Sequence, residues 1–349
     1  MVVVESLPVA VVMCVITMLC WGSWANTQKL ASKEWRFQLF YWDYCLGVLL
    51  LTVVFALTLG SFGPGGRGFV EDLGQALPKY LALAFAGGIV FNIANILLVA
   101  AIDVAGMAVA FPVGIGLALV LGVVNSYVVA VYNGDDAGNP LILFAGVACV
   151  ALAIVLDALA YRRIPATGKA TTKKGLGIIL SVVCGVLMGF FYPLVAASMQ
   201  KLEELTAADV VSSGKLTPYT ALVLFSLGVF VSNFVFNVYV MKKPFAGEPV
   251  PLGDYFTKGS ARLHAVGILG GVIWGVGMSF NIIASGTAGA PVAYGLGQGA
   301  TMIAALWGVF IWKEFKDAQK GTGALLALMF LLFLVGLSLL VYAKVAAAA

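Results

Sequence analysis

Ala105-Gly106-Met107-Ala108-Val109-Ala110-Phe111-Pro112-Val113-Gly114-Ile115-Gly116 returns, altered, as Ala288-Gly289-Ala290-Pro291-Val292-Ala293-Tyr294-Gly295-Leu296-Gly297-Gln298-Gly299, at a constant offset of 183 residues. The Ala-Gly pair, the Val-Ala pair and the last two glycines are identical. The match runs back to Gly87-Gly88 against Gly270-Gly271. Each copy sits in a long apolar run broken by Gly and Pro. Matched breaks in the two halves of a membrane protein point to a solute site where the halves meet. Close helix packing is the competing reading, because small residues let membrane helices approach. Pro112, Gly114, Gly116, Pro193, Gly295, Gly297 and Gly299 are the expected hinge and helix-break positions.

The rest of the composition agrees with a membrane setting. Of 349 residues, 62% are hydrophobic and 10% charged, and the mean hydropathy is +1.03. A soluble domain of this length needs far more charged surface. Period-two alternation is absent, so the expected class is an all-α integral membrane protein. The net charge of +4 comes from positives scattered through linkers, which does not suggest nucleic acid. Cysteines at 14, 20, 45, 149 and 184 fall within apolar runs and lack metal-ligand spacing. No basic region precedes the first apolar run, so that run reads as a retained span rather than a cleaved signal.

Apolar runs long enough to cross a bilayer lie at about 8–30, 37–59, 80–102, 106–132, 140–161, 175–199, 217–241, 264–285, 288–312 and 321–343. The expected organisation is a first five-helix repeat over 1–161, a basic linker over 162–174 and a second five-helix repeat over 175–349. Five is odd, so the second copy enters the membrane from the opposite side and the repeats are inverted. The odd-numbered linkers hold 15 Lys and Arg, and the opposite side holds 5. The positive-inside rule then makes the odd linkers cytoplasmic and both termini external, in an inner or plasma membrane.

Polar groups in hydrocarbon need a reason. Asp43, in Phe40-Tyr41-Trp42-Asp43-Tyr44, stands about two turns into the second span. A carboxyl there suits proton carriage; the structural alternative is an Asp held by tyrosine hydroxyls or paired with Arg36. Asp157 reads as an edge partner of Arg162-Arg163, and Asp103 as solvated or capping a helix. Trp21, Trp24 and Gln28 share one helix face by spacing. Their aromatic planes suit a flat ligand, or an interfacial belt. Asn92, Asn95, Asn125, Asn233, Asn237, Asn281, Gln298 and Thr301 supply amides and a hydroxyl within spans, for a neutral solute or for helix ties. Gln298, between Gly297 and Gly299, replaces Ile115 of the first copy, with room expected for a ligand to approach the backbone. The lone histidine, His264, builds no metal cluster, and phosphate-loop and hydrolase motifs are missing. The reading is therefore a transporter without cofactor or metal, not an enzyme.

The chain resembles the ureide permease family of the drug/metabolite transporter superfamily, with the glucose/ribose porter branch a neighbouring match. The residues that carry this are Gly22-Ser23-Trp24-Ala25-Asn26, Tyr41-Trp42-Asp43-Tyr44, Gly87-Gly88 to Asn95, Gly122 to Tyr127, Phe191-Tyr192-Pro193, Gly295 to Gln298, and Trp307-Gly308 before Glu314. The resemblance implies ten helices, an inverted repeat and proton-coupled uptake of ureides, nucleobase-like compounds or monosaccharides. Plant members carry a longer central linker with a phosphate-loop-like motif, which this chain lacks. The expected roles are proton coupling for Asp43 and solute contact for Trp21, Trp24, Asn26, Tyr44, Asn95, Tyr294, Gln298 and Thr301. The expected partners are a small polar solute, protons and the lipid bilayer, with a homodimer left open. An exporter of the same fold, a passive channel and a sensor remain alternative readings.

Overall fold

A computed structural model describes residues 1–165, 174–206 and 213–347. Most of the expected basic linker, 166–173, lies outside the described residues. Ten helices are long and apolar enough to cross a membrane: α1 (Leu7–Ala31), α2 (Phe37–Leu57), α3 (Pro78–Ala105), α4 (Phe111–Tyr132), α5 (Pro140–Tyr161), α6 (Gly175–Ser198), α7 (Pro218–Lys242), α8 (Ala261–Ala288), α9 (Ala290–Ile311) and α10 (Thr322–Val345). Their bounds fall within a few residues of the apolar runs. Among the described residues, the Met199–Leu216 bridge is the sole β pairing.

Local chemistry sets the helix ends. Pro78, Pro140 and Pro218 open α3, α5 and α7, where the missing N–H has no partner to lose. Asn139 accepts from the Leu141 and Ile142 amides, Thr217 from Thr220, and Ser260 from Leu263, so three helix starts are capped by side chains. The Ala-Gly pair of the repeated stretch ends α3 and α8. Gly106 (φ 81°) and Gly289 (φ 82°) turn the chain there in a conformation that suits glycine.

Packing follows the other glycines. Gly88 of α3 lies so near α7 that a Cβ would fall 2.0 Å from the Phe225 carbonyl oxygen; Gly228 answers, 2.2 Å from that of Phe85. Gly271 of α8 meets α2 in the same way, 2.0 Å from the Tyr44 carbonyl oxygen, and Gly47 answers, 2.2 Å from that of Ile268. α3 also lies along α6, α8 along α1, α4 on α6, α9 on α1, and α5 on α10. The N-terminal strand of chain bonds to linker two, through Val2 N–H to Leu59 O (2.8 Å), and α10 meets linker four, through Asn139 N–H to Ala343 O (2.8 Å). Both termini thus lie at the same end as the even linkers.

Three spans depart from plain helices. α1 loosens at Trp24, between Leu7–Ser23 and Ala25–Ala31. α9 breaks between Ala290–Gly297 and Ala300–Leu306. The start of α4, Phe111–Ile115, which holds Pro112 and Gly114, is a π turn in which the Gly116 N–H reaches back to Phe111 O. Apolarity alone does not reveal these breaks. In α6, Pro193 has no N–H to give the Gly189 carbonyl, and Asn125 of α4 donates its amide there instead (3.2 Å). Asn125→Leu is expected to leave that carbonyl unpaired and to destabilise the fold by roughly 1–3 kcal/mol. An unchanged melting temperature in detergent would rule this role out.

Candidate functional site

A cage of aromatic rings forms around Trp274, in the middle of α8. Trp21 stacks on it at 5.9 Å, and Phe91, Tyr44 and Phe225 lie at 4.6, 6.1 and 6.2 Å between ring centroids. Trp24 joins through Tyr44 at 4.8 Å. The cage therefore gathers side chains from α1, α2, α3, α7 and α8. Trp21, Trp24 and Tyr44 come together as expected from sequence; Trp274 did not figure there. A signal for it existed. Carried three residues on from Gly88 and Gly271, the 183-residue offset lands on Phe91 and Trp274, whose rings touch.

Two donors in the cage are sealed without an acceptor among the described residues: Trp21 Nε1 and the Tyr44 hydroxyl. Buried donors are almost always paired, and leaving one without an acceptor is costly. Beside them runs a chain of hydrogen bonds. Asn95 donates to the Tyr41 hydroxyl (3.1 Å), Tyr41 to Asn92 Oδ1 (2.9 Å), and Asn92 to Ser232 Oγ (2.9 Å).

The remaining expected contacts have other surroundings. Tyr294 is fully buried, with its hydroxyl directed at the Ala118 and Met188 carbonyls (3.2 and 3.3 Å) and its ring over Gly122. With Tyr192 at 5.0 Å it forms a plug. Asn26 uses its amide locally, donating to Ser23 O (2.9 Å) and accepting from Trp312 Nε1 (2.6 Å). Thr301 is buried in α9. Gln298 sits half-buried at the α9 break. The space beside its flanking glycines is already taken: a Cβ on Gly297 would lie 2.7 Å from Trp21, and one on Gly299 2.3 Å from Met18. Those two glycines admit side chains of α1 rather than a ligand. Gly295 packs on Leu340, and Gly116 has nothing closer than 4.0 Å.

Above the Tyr192–Tyr294 plug, a cavity of about 390 Å³ opens at the end bearing the termini. Pro193, Ser126 and Ser285 lie in its wall, and the pairs Lys201–Asp135 and Lys344–Asp136 (2.7 and 2.8 Å) stand at its rim. Burial works upward on the Asp136 carboxyl, but the Lys344 ammonium and the Gly138 N–H outweigh it and hold the group below the usual carboxylate range.

At the opposite end, Asp43 is buried to 1% exposure. It accepts from the Tyr255 hydroxyl (2.5 Å), and His264 Nδ1 lies 3.0 Å from both carboxylate oxygens. Burial, and then the bond it gives Asp43, pushes the Tyr255 phenol above its ordinary range, so it stays a donor. Trp35 edges onto His264 at 5.3 Å. Gly267 makes room, since a Cβ there would lie 2.4 Å from that of Asp43. Of the two structural settings expected for Asp43, the tyrosine-held carboxyl is present, with the tyrosine coming from linker seven. No ion pair with Arg36 occurs among the described residues. His264 and Tyr255 lie more than 200 residues from Asp43 in the chain, beyond any local spacing argument. Asp157 likewise makes no pair with Arg162 or Arg163 among the described residues; it is buried one turn before Tyr161, which donates to Glu314.

Ten helices long and apolar enough to cross a membrane, packed around an aromatic cage, define a multi-pass membrane protein. The ureide permease family model matches residues 40–174 and 161–343, and the chain belongs to that family. It is 25% identical to Ureide permease 1 of Arabidopsis thaliana, over 97% of this chain and 98% of that one. Ureide permease 2 of the same plant is 23% identical over 97% and 98%, and Ureide permease 5 is 25% identical over 97% and 95%.

Proposed function

We propose that this chain imports a small, flat, neutral solute of the ureide or nucleobase type, driven by protons. The observation that carries the reading is the pair of unpartnered donors, Trp21 Nε1 and Tyr44 Oη, inside the Trp274 cage. A planar solute stacks on the indoles and offers carbonyl oxygens to the two donors, relieving their desolvation. A sugar would need donors and acceptors all round its ring, which an aromatic cage supplies poorly. A thermal-shift screen of ureides, nucleobases, nucleosides and sugars in detergent tests this, because a bound ligand raises the melting point. Stabilisation by sugars alone would overturn it.

Asp43 is the proposed proton carrier, with His264, at 28% side-chain exposure, its route to the aqueous face. Two inverted halves, 1–161 and 175–349, rock about the cage. The reciprocal glycine contacts, α3 with α7 and α2 with α8, support that relation, because they exchange when each span is replaced by the one five places on.

Both termini are expected outside the cell, on the 15-to-5 split of basic residues. Labelling of a cysteine placed in the fifth linker from outside intact cells would reverse the orientation. Gln298→Ala is expected to weaken solute binding by roughly 1–3 kcal/mol while leaving gel filtration in detergent unchanged. Unaltered affinity would assign Gln298 to packing at the α9 break.

A further inference from the structure

A second buried carboxyl lies at the same end as Asp43 but in a different helix contact. Asp157 of α5 is 2% exposed, and its Oδ1 has no hydrogen-bond partner among the described residues. Tyr161, one turn on and on the same face, donates to Glu314 Oε2 (3.0 Å). The other oxygen of Glu314 meets the Lys29 ammonium of α1. Gly308 of α9 leaves the space: a Cβ there would lie 3.0 Å from Glu314 Oε2 and 3.2 Å from the Tyr161 hydroxyl. The Tyr161 bond thus brings Glu314 to the face of α5 that holds Asp157, one turn away.

The charges do not balance. Two carboxylates face one ammonium, and Lys29 stands on the Glu314 side at 42% exposure. Linker nine, packed on α5 through Phe315 against Tyr161, carries Lys313, Lys316, Asp317 and Lys320 around Glu314, and among the described residues no Lys or Arg pairs with Asp157. α10 carries its one charge, Lys344, at the opposite end, and α4 brings only Tyr127 and Tyr132, also toward that end. Arg162 and Arg163 follow Tyr161, but neither pairs with Asp157 among the described residues; the Arg163 guanidinium lies near Gly321 instead. An uncompensated carboxylate in such surroundings is expensive, and binding a proton at Asp157 relieves the cost.

We infer that Asp157, coupled to the neighbouring Glu314, is a second proton-binding site, separate from Asp43, where α5 meets α1 and the end of α9. With one proton bound, the pair and Lys29 sum to zero charge and the contact holds. With the proton gone, like charges oppose each other across it. The site does not depend on Asp43 carrying the coupling proton, nor on the identity of the solute.

Infrared difference spectra between acid and alkaline pH, on the full-length protein in lipid nanodiscs without added solute, test the inference through the carbonyl stretch of a protonated carboxyl. Asp157→Asn is expected to remove one titrating band that survives in Asp43→Asn. Glu314→Gln is expected to keep that band and move its midpoint to lower pH, because a like charge has been removed. A wild-type spectrum from Asp157→Asn protein that elutes normally would overturn the site. A midpoint unmoved by Glu314→Gln would overturn the coupling of Asp157 to Glu314. Should Asp157→Asn fail to fold, the Glu314→Gln comparison decides alone, since Glu314 is partly exposed and takes an isosteric amide readily.

Discussion

Asp43→Asn protein reconstituted in liposomes is expected to lose all accumulation of solute against a gradient while still exchanging solute across the membrane. Asn keeps the size of the side chain and can still accept the Tyr255 hydrogen bond, now 2.5 Å long to the carboxylate. It has no proton to release, and His264 loses the anion that lies 3.0 Å from its Nδ1. The gradient is then uncoupled from the cage, which lies deeper, at Tyr44 and Trp274. The measurement is the steady-state ratio of solute inside and outside under an imposed pH difference, beside counterflow without one. Accumulation at the wild-type level would show that Asp43 is not the sole coupling group. Loss of both accumulation and exchange, in protein that still elutes normally, would make the residue structural.

The second large effect concerns stability. Gly271→Ala places a carbon 2.0 Å from the Tyr44 carbonyl oxygen and 2.9 Å from the Val48 nitrogen. Both are backbone atoms of α2, so no side-chain rotation relieves the clash. α2 must move off α8, which also parts Gly47 from the Ile268 carbonyl and Asp43 from Gly267. The expected loss is about 3 kcal/mol, the upper end of overpacking costs, seen as a lower melting temperature and a broadened elution profile. Gly116→Ala is the control: it comes from the repeated stretch, has helical backbone angles and has no neighbour nearer than 4.0 Å. It should change stability little or raise it slightly. Equal melting points for the two variants would refute the close-approach account of Gly271.

These two glycines show where pattern reading stops. The repeat announces both as matched small residues in apolar runs, and either would serve a hinge or a tight contact. Only the neighbouring backbone separates them. A Cβ on Gly271 would lie 2.0 Å from Tyr44 O, whereas one on Gly116 would meet only an Ile154 methyl, at 4.0 Å. Gly297 and Gly299 show the same limit, since the room beside them is filled by Trp21 and Met18, which lie nearly the whole chain away.

The sequence by itself determined the class, the number of spans and their limits, because crossing hydrocarbon demands a run of about 20 mostly apolar residues and that demand is local. It also marked Trp21, Trp24, Tyr44 and Asp43, since polar and aromatic groups within such runs stand out one by one. Tertiary structure alone decided what those groups meet. Trp274 closes the cage from α8, Tyr255 and His264 reach Asp43 from linker seven and the start of α8, and Glu314 comes beside Tyr161 from linker nine. Apolar helices pack through small residues and ridges rather than through any code in their polar positions. Which buried polar groups become neighbours is therefore set by the depth and rotation of each helix, and these follow from contacts hundreds of residues apart.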